Sequence, residues 1–195
     1  MASGAFTVWR TVSSKRLDEL IAAHAAVGGT GRGRRYATEQ LNASLVVQIA
    51  AHFQLFCRGL HTETAEVLVL AAPTSYRTML RVAFTDRRSL DRGNASVETI
   101  GSDFARFDFD IWGTAAAASP LTSTRRLRLN QLNTWRNAIA HQDFVFTAKQ
   151  QTRLQETSLT LASARRWRGA CNGLASTFDQ IVAAHLTAVT GTRPW

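Results

Sequence analysis

The chain has 195 residues, 45% of them hydrophobic and 19% charged, a balance that excludes a wholly disordered chain and suffices for one buried core. With 3 prolines and 12 glycines, strand-rich architectures built on many tight turns are disfavoured. The net charge is +9 and nearly all of the positive charge is arginine, because Lys15 and Lys149 are the only lysines. Guanidinium forks match phosphate and carboxylate geometry, so this charge points to nucleic acid, an anionic membrane or an acidic partner. An arginine- and alanine-rich, lysine-poor composition also follows from a GC-rich genome.

Cys57 and Cys171 are the only cysteines. Two thiols make no disulfide framework, and a reducing, cytoplasmic location is the expectation. The first ten residues lack a basic start followed by an apolar run, so no secretory signal is read there. The longest apolar stretch, 67–73, is far shorter than a membrane span. The Asn42-Ala-Ser44 and Asn94-Ala-Ser96 glycosylation patterns are read as chance matches.

The periodicity is helical almost throughout. Ser13 or Ser14 caps a first helix to about Val27, with Leu17, Leu20, Ile21 and His24 at helical spacing. Residues 28–35, Gly-Gly-Thr-Gly-Arg-Gly-Arg-Arg, form a basic flexible connector. They have no strand before them and lack the Gly-Lys-Ser/Thr ending of a phosphate-binding P-loop. Thr38 caps a long second helix whose stripe is Leu41, Leu45, Ile49, Phe53, Phe56 and Leu60. A break is expected at 59–62, then a short apolar helix over 63–72 closed by Pro73, then a helix over 75–84. Residues 86–96 are polar, carry Gly93-Asn94 and read as a loop. Phe104, Phe107 and Ile111 fit a helix, while Phe107, Phe109 and Ile111 alternate like a strand. Leu129, Leu132, Trp135 and Ile139 mark the next helix. The last runs from about Leu159 to Val189 with Trp167, Ala170, Leu174, Phe178, Ile181 and His185 along its seam. There is no internal repeat and no alternation of strands with helices. The expected architecture is therefore one all-α domain over 1–195, a bundle of five to seven helices with its core at about 38–190, the first helix and basic loop filling 1–37.

Several groups carry possible chemistry. Cys57 and His61, four apart, share a helical face, but a closed zinc site wants four ligands and no others are near in sequence. Asp103, Asp108 and Asp110 are the densest acidic group and the residues for a Mg²⁺-dependent nuclease; interleaved with Phe104, Phe107 and Phe109, they also read as the solvent side of an aromatic stripe. Arg125, Arg126 and Arg128, and Arg165, Arg166 and Arg168, are basic clusters on predicted helices that suit RNA phosphates. Trp167 either stacks on a base or packs inward. His185, on the apolar seam, reads as a hydrogen-bonded core residue.

Residues 135–141, Trp-Arg-Asn-Ala-Ile-Ala-His, are the sharpest signal: an arginine, a polar residue, and a histidine five places after the arginine, closing an amphipathic helix in a basic chain. This segment resembles the signature of the HEPN ribonuclease superfamily. The helix over 41–56 is similar to the one that precedes the motif in RiboL-PSP-type HEPN proteins. The resemblance covers about residues 38–190, with Arg136, Asn137 and His141 as its diagnostic positions; where relatives often carry a glutamate in the second helix, this chain has Gln54.

The resemblance implies an all-α HEPN-like fold and a metal-independent endoribonuclease that needs no cofactor. RNA would be cleaved by attack of its own 2′-OH, giving a 2′,3′-cyclic phosphate and a 5′-OH end. His141 then handles protons, Arg136 holds the phosphate and offsets transition-state charge, and Asn137 positions either. On an ideal helix Arg136 and His141 lie about 140° apart. Either the helix breaks between them or the site is completed by a second copy, and the family's arrangement is a homodimer with a composite active site. The implied context is a toxin or phage-defence effector in the cytoplasm, with RNA as substrate, an antitoxin as a further partner and no membrane. The alternative is a catalytically inactive HEPN module that binds RNA, a nucleotide or a partner protein.

Overall fold

The computed structural model describes residues 1–28, 35–154 and 158–195. The glycine-rich connector of 28–35 therefore falls almost entirely outside the described residues. Among those described, the regular structure is all helical, with no strand, so the strand reading of 107–111 is wrong: Ala105–Phe107 is a 3-10 turn and Asp108 sits in the left-handed region at φ 55°. In chain order the helices are α1 (Gly4–Val8), α2 (Ser14–Gly28), α3 (Arg35–Ala71), α4 (Arg77–Thr85), α5 (Val97–Phe104), α6 (Ile111–Ala118), α7 (Thr122–His141), α8 (Ala148–Leu154) and α9 (Leu161–Thr190). A π turn, Trp9–Ser13, joins α1 to α2 without interrupting the helical path.

The centre of the bundle is α3, packed against α1, α2, α4, α7 and α9. It runs straight through the break expected at 59–62. Gly59 is there for close approach instead: a Cβ at this position would stand 3.1 Å from the Cβ of Ala5, so α1 crosses α3 at the one position without a side chain. Four residues on, the Glu63 carboxylate accepts the backbone N–H of Gly4 and Ala5 at 2.9 and 2.6 Å, satisfying the free donors at the start of α1. Trp9, Phe53 and Phe56 form an aromatic cluster with centroids 5.8–6.1 Å apart.

The stretch Thr38–Ala71 is also, by length and composition, apolar enough to cross a membrane, which the short apolar run at 67–73 did not suggest. Its stripe of Leu45, Ile49, Phe53, Phe56 and Leu60 is fully buried in the bundle. Burying one such side chain stabilises by about 1.5–3 kcal/mol, so this stripe is the main tie between α3 and its neighbours.

Helices α7 and α9 are antiparallel, as their cross-contacts show: Arg125 of α7 reaches Gly173 and Thr177 of α9, while Gln131 accepts the indole N–H of Trp167 at 3.1 Å. Trp167 is thus buried and bonded inward, not available to stack on a base. His185 is half-buried and stacks on Phe109 with centroids 4.4 Å apart. Its Nε2 has no partner among the described residues, so the expected core hydrogen bond is replaced by ring stacking.

Candidate functional site

The end of α7 carries the motif. The helix is continuous to His141 and stops because Gln142 adopts the left-handed conformation (φ 53°), its amide bonding back to the Ile139 carbonyl at 2.9 Å. Asp143 then accepts from the backbone of Val145 and its own N–H returns to Ala138. No helix break separates Arg136 from His141, so the two stay on different faces of one helix. Arg136 is half-buried; Asn137 and His141 are exposed. No ion pair joins Arg136 to Asp143 among the described residues.

Asn137 is the fixed point. Its Oδ1 accepts from Asn94 Nδ2 at 2.6 Å and from Arg136 Nη1 at 3.3 Å. Asn94 belongs to the 86–96 segment, which the sequence reads as a plain loop but which is tied on every side. Gln54 of α3 donates to the carbonyls of Leu90 and Gly93 at 3.0 and 2.6 Å. Asp103 of α5 accepts the N–H groups of Ser89 and Leu90 at 2.9 and 2.7 Å. Asn133 of α7 donates to the Ala95 carbonyl at 3.1 Å. A chain of polar contacts therefore runs from α3 through this loop to Asn137 and Arg136. The amide of Gln54 is used as a double donor, a role that a carboxylate cannot fill.

Asn137 and His141, one turn apart, line a surface depression of about 330 Å³ together with Asn133, Glu98 and Asp143. Glu98, Asn94 and Asn133 were not marked in the sequence. The signal that would have found two of the wall residues is the polar series Asn130, Asn133, Asn137, His141, which repeats at helical spacing along one side of α7.

The six arginines divide. Arg125 donates to Ser119, Gly173 and Thr177 at 3.2–3.4 Å, tying α7 to α9. Arg168 pairs with Asp18 at 2.6 Å and donates to the Ser14 carbonyl, tying α9 to α2. Its guanidinium holds the Asp18 carboxyl below the ordinary carboxylate range. Arg126, Arg165 and Arg166 are exposed and Arg128 is half-buried, with Arg126 lying 5.0 Å over the Trp112 ring. Because α7 and α9 are antiparallel and Trp167 meets Gln131, the 165–168 cluster lies beside the middle of α7, about 15 Å from His141 along the helix axis. Arg125 is about 24 Å from His141 along the helix axis. Arg125 and Arg168 are taken up in tying helices together, and neither cluster lies at the His141 end of α7.

The other candidates resolve into structural roles. Asp103 is buried and bonds the loop; Asp110 caps α6 through Gly113 N at 2.9 Å; Asp108 is exposed at the left-handed turn. These carboxylates do not converge, and no group of three or more metal-ligating side chains occurs among the described residues. His61 is fully buried, its Nε2 against the Asp103 carbonyl and its Nδ1 against Arg88 Nη1. Burial, with the Arg88 and Arg106 charges adding to it, pushes His61 down to about 4. Burial also pushes the Cys57 and Cys171 thiols up, so both are inert as nucleophiles.

Comparison with known proteins gives no matching family model, no matching curated protein and no matching solved structure.

Proposed function

We propose that this protein is a metal-independent endoribonuclease of HEPN type, cleaving RNA through its 2′-OH, with Arg136, Asn137 and His141 at the reacting phosphate. The observation that carries the reading is the local build of the α7 end. A guanidinium is held against a doubly bonded Asn137, one turn from an exposed imidazole in a polar depression. His141 takes the proton of the 2′-OH as that oxygen attacks phosphorus, and the imidazolium gives a proton to the 5′-oxygen as its bond to phosphorus breaks. Arg136 cannot give up its own proton and instead offsets charge on the phosphorane-like transition state. Glu98 and Asp143, which line the same depression, supply the carboxylates for orienting the imidazole, a duty that Gln54 does not serve.

A continuous α7 puts Arg136 and His141 on different faces. The reading therefore includes a two-fold dimer in which two copies of this helix end face one cleft, with the exposed arginines along its edges. A toxin or phage-defence role, an antitoxin partner and a cytoplasmic site belong to the same proposal.

The test is purified protein with total RNA in EDTA, with analysis of the new ends. Cleavage that survives chelation and leaves 2′,3′-cyclic phosphates is expected. Arg136→Ala and His141→Ala each lower it by about 10²–10⁴-fold with helical content unchanged. If both variants cut as fast as wild type, the assignment is abandoned. If RNA or a partner is bound but never cut, the inactive-module reading replaces it.

A further inference from the structure

The 86–96 loop carries a row of cations that the motif on α7 does not explain. Arg88 is buried and bonds both oxygens of Asp91, at 2.9 and 3.0 Å. Arg58 of α3 reaches the same carboxylate at 3.4 Å, its side chain half exposed. One carboxylate serves two guanidiniums, so a positive charge is left over. Arg92, the next residue, is exposed and makes no ion pair or side-chain hydrogen bond among the described residues. Two residues further on, Asn94 donates to Asn137, which also accepts from Arg136. The Cα of Arg92 therefore lies within about 7 Å of those of both Asp91 and Asn94. The order across this surface is Arg58, Arg92, Arg136.

The backbone beneath Arg92 is pinned on both sides. Before it, Ser89 and Leu90 donate to Asp103; after it, the carbonyls of Gly93 and Ala95 accept from Gln54 and Asn133. A free guanidinium thus stands on a fixed base, which lowers the ordering cost when an anion binds. Guanidiniums set in a row, rather than converging on one point, suit a ligand whose negative charge repeats. Each fork matches the two free oxygens of a phosphodiester. The side chains that link the row, Gln54, Asn94 and Asn137, are amides. They suit phosphate and sugar, not lipid tails.

We propose that Arg58 and Arg92 form a track for the backbone of an RNA strand that leads to Arg136, so that the strand crosses the 86–96 loop. The contacts are to phosphates, and binding through them is tolerant of base sequence and steeply dependent on salt. The proposal rests on the nuclease reading for placing the reacting phosphate at Arg136. The binding it predicts does not require that any bond be cut.

The test is the affinity of the full chain for a 2′-O-methylated oligouridylate, which cannot be cut by 2′-OH attack, measured by fluorescence anisotropy across a series of salt concentrations. Wild type is expected to bind, with log affinity falling linearly against log salt. Arg92→Gln and Arg58→Gln each weaken binding about three- to tenfold and lower the slope by about 0.7, the share of one single-strand phosphate contact. Arg92→Lys keeps the charge and restores the slope. Arg193→Gln, past the end of α9 and on the side of the α7 N-terminus, changes neither. Arg92 makes no contact whose loss would unfold the chain, so its variants keep the wild-type melting midpoint. The proposal is overturned if wild type does not bind the oligonucleotide at low salt, or if Arg92→Gln keeps the wild-type affinity and slope. It is also overturned if polyglutamate of equal charge competes as well as the RNA, which makes an acidic polypeptide the ligand. Binding that depends on Arg92, with no cleavage of ordinary RNA, supports the track and overturns the nuclease reading alone.

Discussion

Gln54→Glu is the most informative single change, because the fold and the resemblance predict opposite results. It swaps one amide for a carboxylate of the same shape. In the structure that amide donates to Leu90 O and Gly93 O, at 3.0 and 2.6 Å, and Leu90 is fully buried. The substitution removes two donated bonds, each worth about 1 kcal/mol net, and turns an anion toward two carbonyl dipoles whose partners are gone. A loss of about 2–4 kcal/mol is expected, and at roughly 2–4 °C per kcal/mol for a domain of this length the melting midpoint falls by about 5–15 °C. The loss depends on pH with a defined sign. A protonated carboxyl regains one O–H donor, so the folded state raises the pKa of the new group. That group's stabilisation is present below the ordinary glutamic value of about 4.3 and disappears as pH rises through the raised one. Melts followed by circular dichroism at pH 4 and pH 8 should therefore show the larger deficit at pH 8. If the variant is as stable as wild type at pH 8, or more so, the amide is not the donor described here, and the glutamate that the HEPN resemblance points to at this position is the better residue.

Two further outcomes follow from buried polar groups. Asp103→Ala leaves the N–H groups of Ser89 and Leu90 without their acceptor at a position 1% exposed. Urea unfolding should show a loss of about 3 kcal/mol or more that added Mg²⁺ does not change; a loss under about 1 kcal/mol refutes the staple role. His61 is held neutral in the fold, with its pKa lowered from 6.5 to about 4, chiefly by burial. Between those two values the unfolded chain binds the extra proton, so stability is full above pH 6.5 and falls by about 3 kcal/mol as pH drops to 4. Asp91, held low by Arg88 and Arg58, adds its own loss only in stronger acid. His61→Gln should be less stable at pH 7, because its ring packs on Phe104 and Phe107, yet show a flatter profile from pH 6.5 to 4. An unchanged slope removes His61 as the cause.

The helices were legible wherever burial is one-sided. Leu45, Ile49, Phe53, Phe56 and Leu60 keep helical spacing because each must face the core, and the same holds for Trp167, Leu174 and Phe178. What misled was local chemistry read without its tertiary partner. Gly59 looks like a stop signal, but its missing side chain serves a helix crossing that involves residues more than fifty positions away. Asp103 and Asp110 look like a cluster in sequence, yet one points into a loop and the other caps a helix. At the candidate site, Arg136, Asn137 and His141 are adjacent along the chain and so were visible. Asn94 and Gln54 act through contacts 36 to 43 positions away, and no periodicity records such pairs.

The α7 end also treats its polar groups unequally. Asn137 is clamped from two sides, and its first clamp, Asn94, is itself held by a loop anchored to α3, α5 and α7. Ordering that many side chains is entropically costly and adds little to a helix end that solvent would otherwise satisfy. The imidazole of His141, by contrast, makes no hydrogen bond among the described residues and stands exposed at the last helical position. A purely structural histidine at a helix C-terminus is explained by the negative end of the dipole alone and needs none of the bracing one turn earlier. A group meant to hold a phosphate must be rigid before the ligand arrives, whereas a group meant to carry a proton between two oxygens must turn. Under the proposed reading, this contrast between Arg136–Asn137 and His141 suits cleavage, and the substitutions at these positions, not the net charge, decide the question.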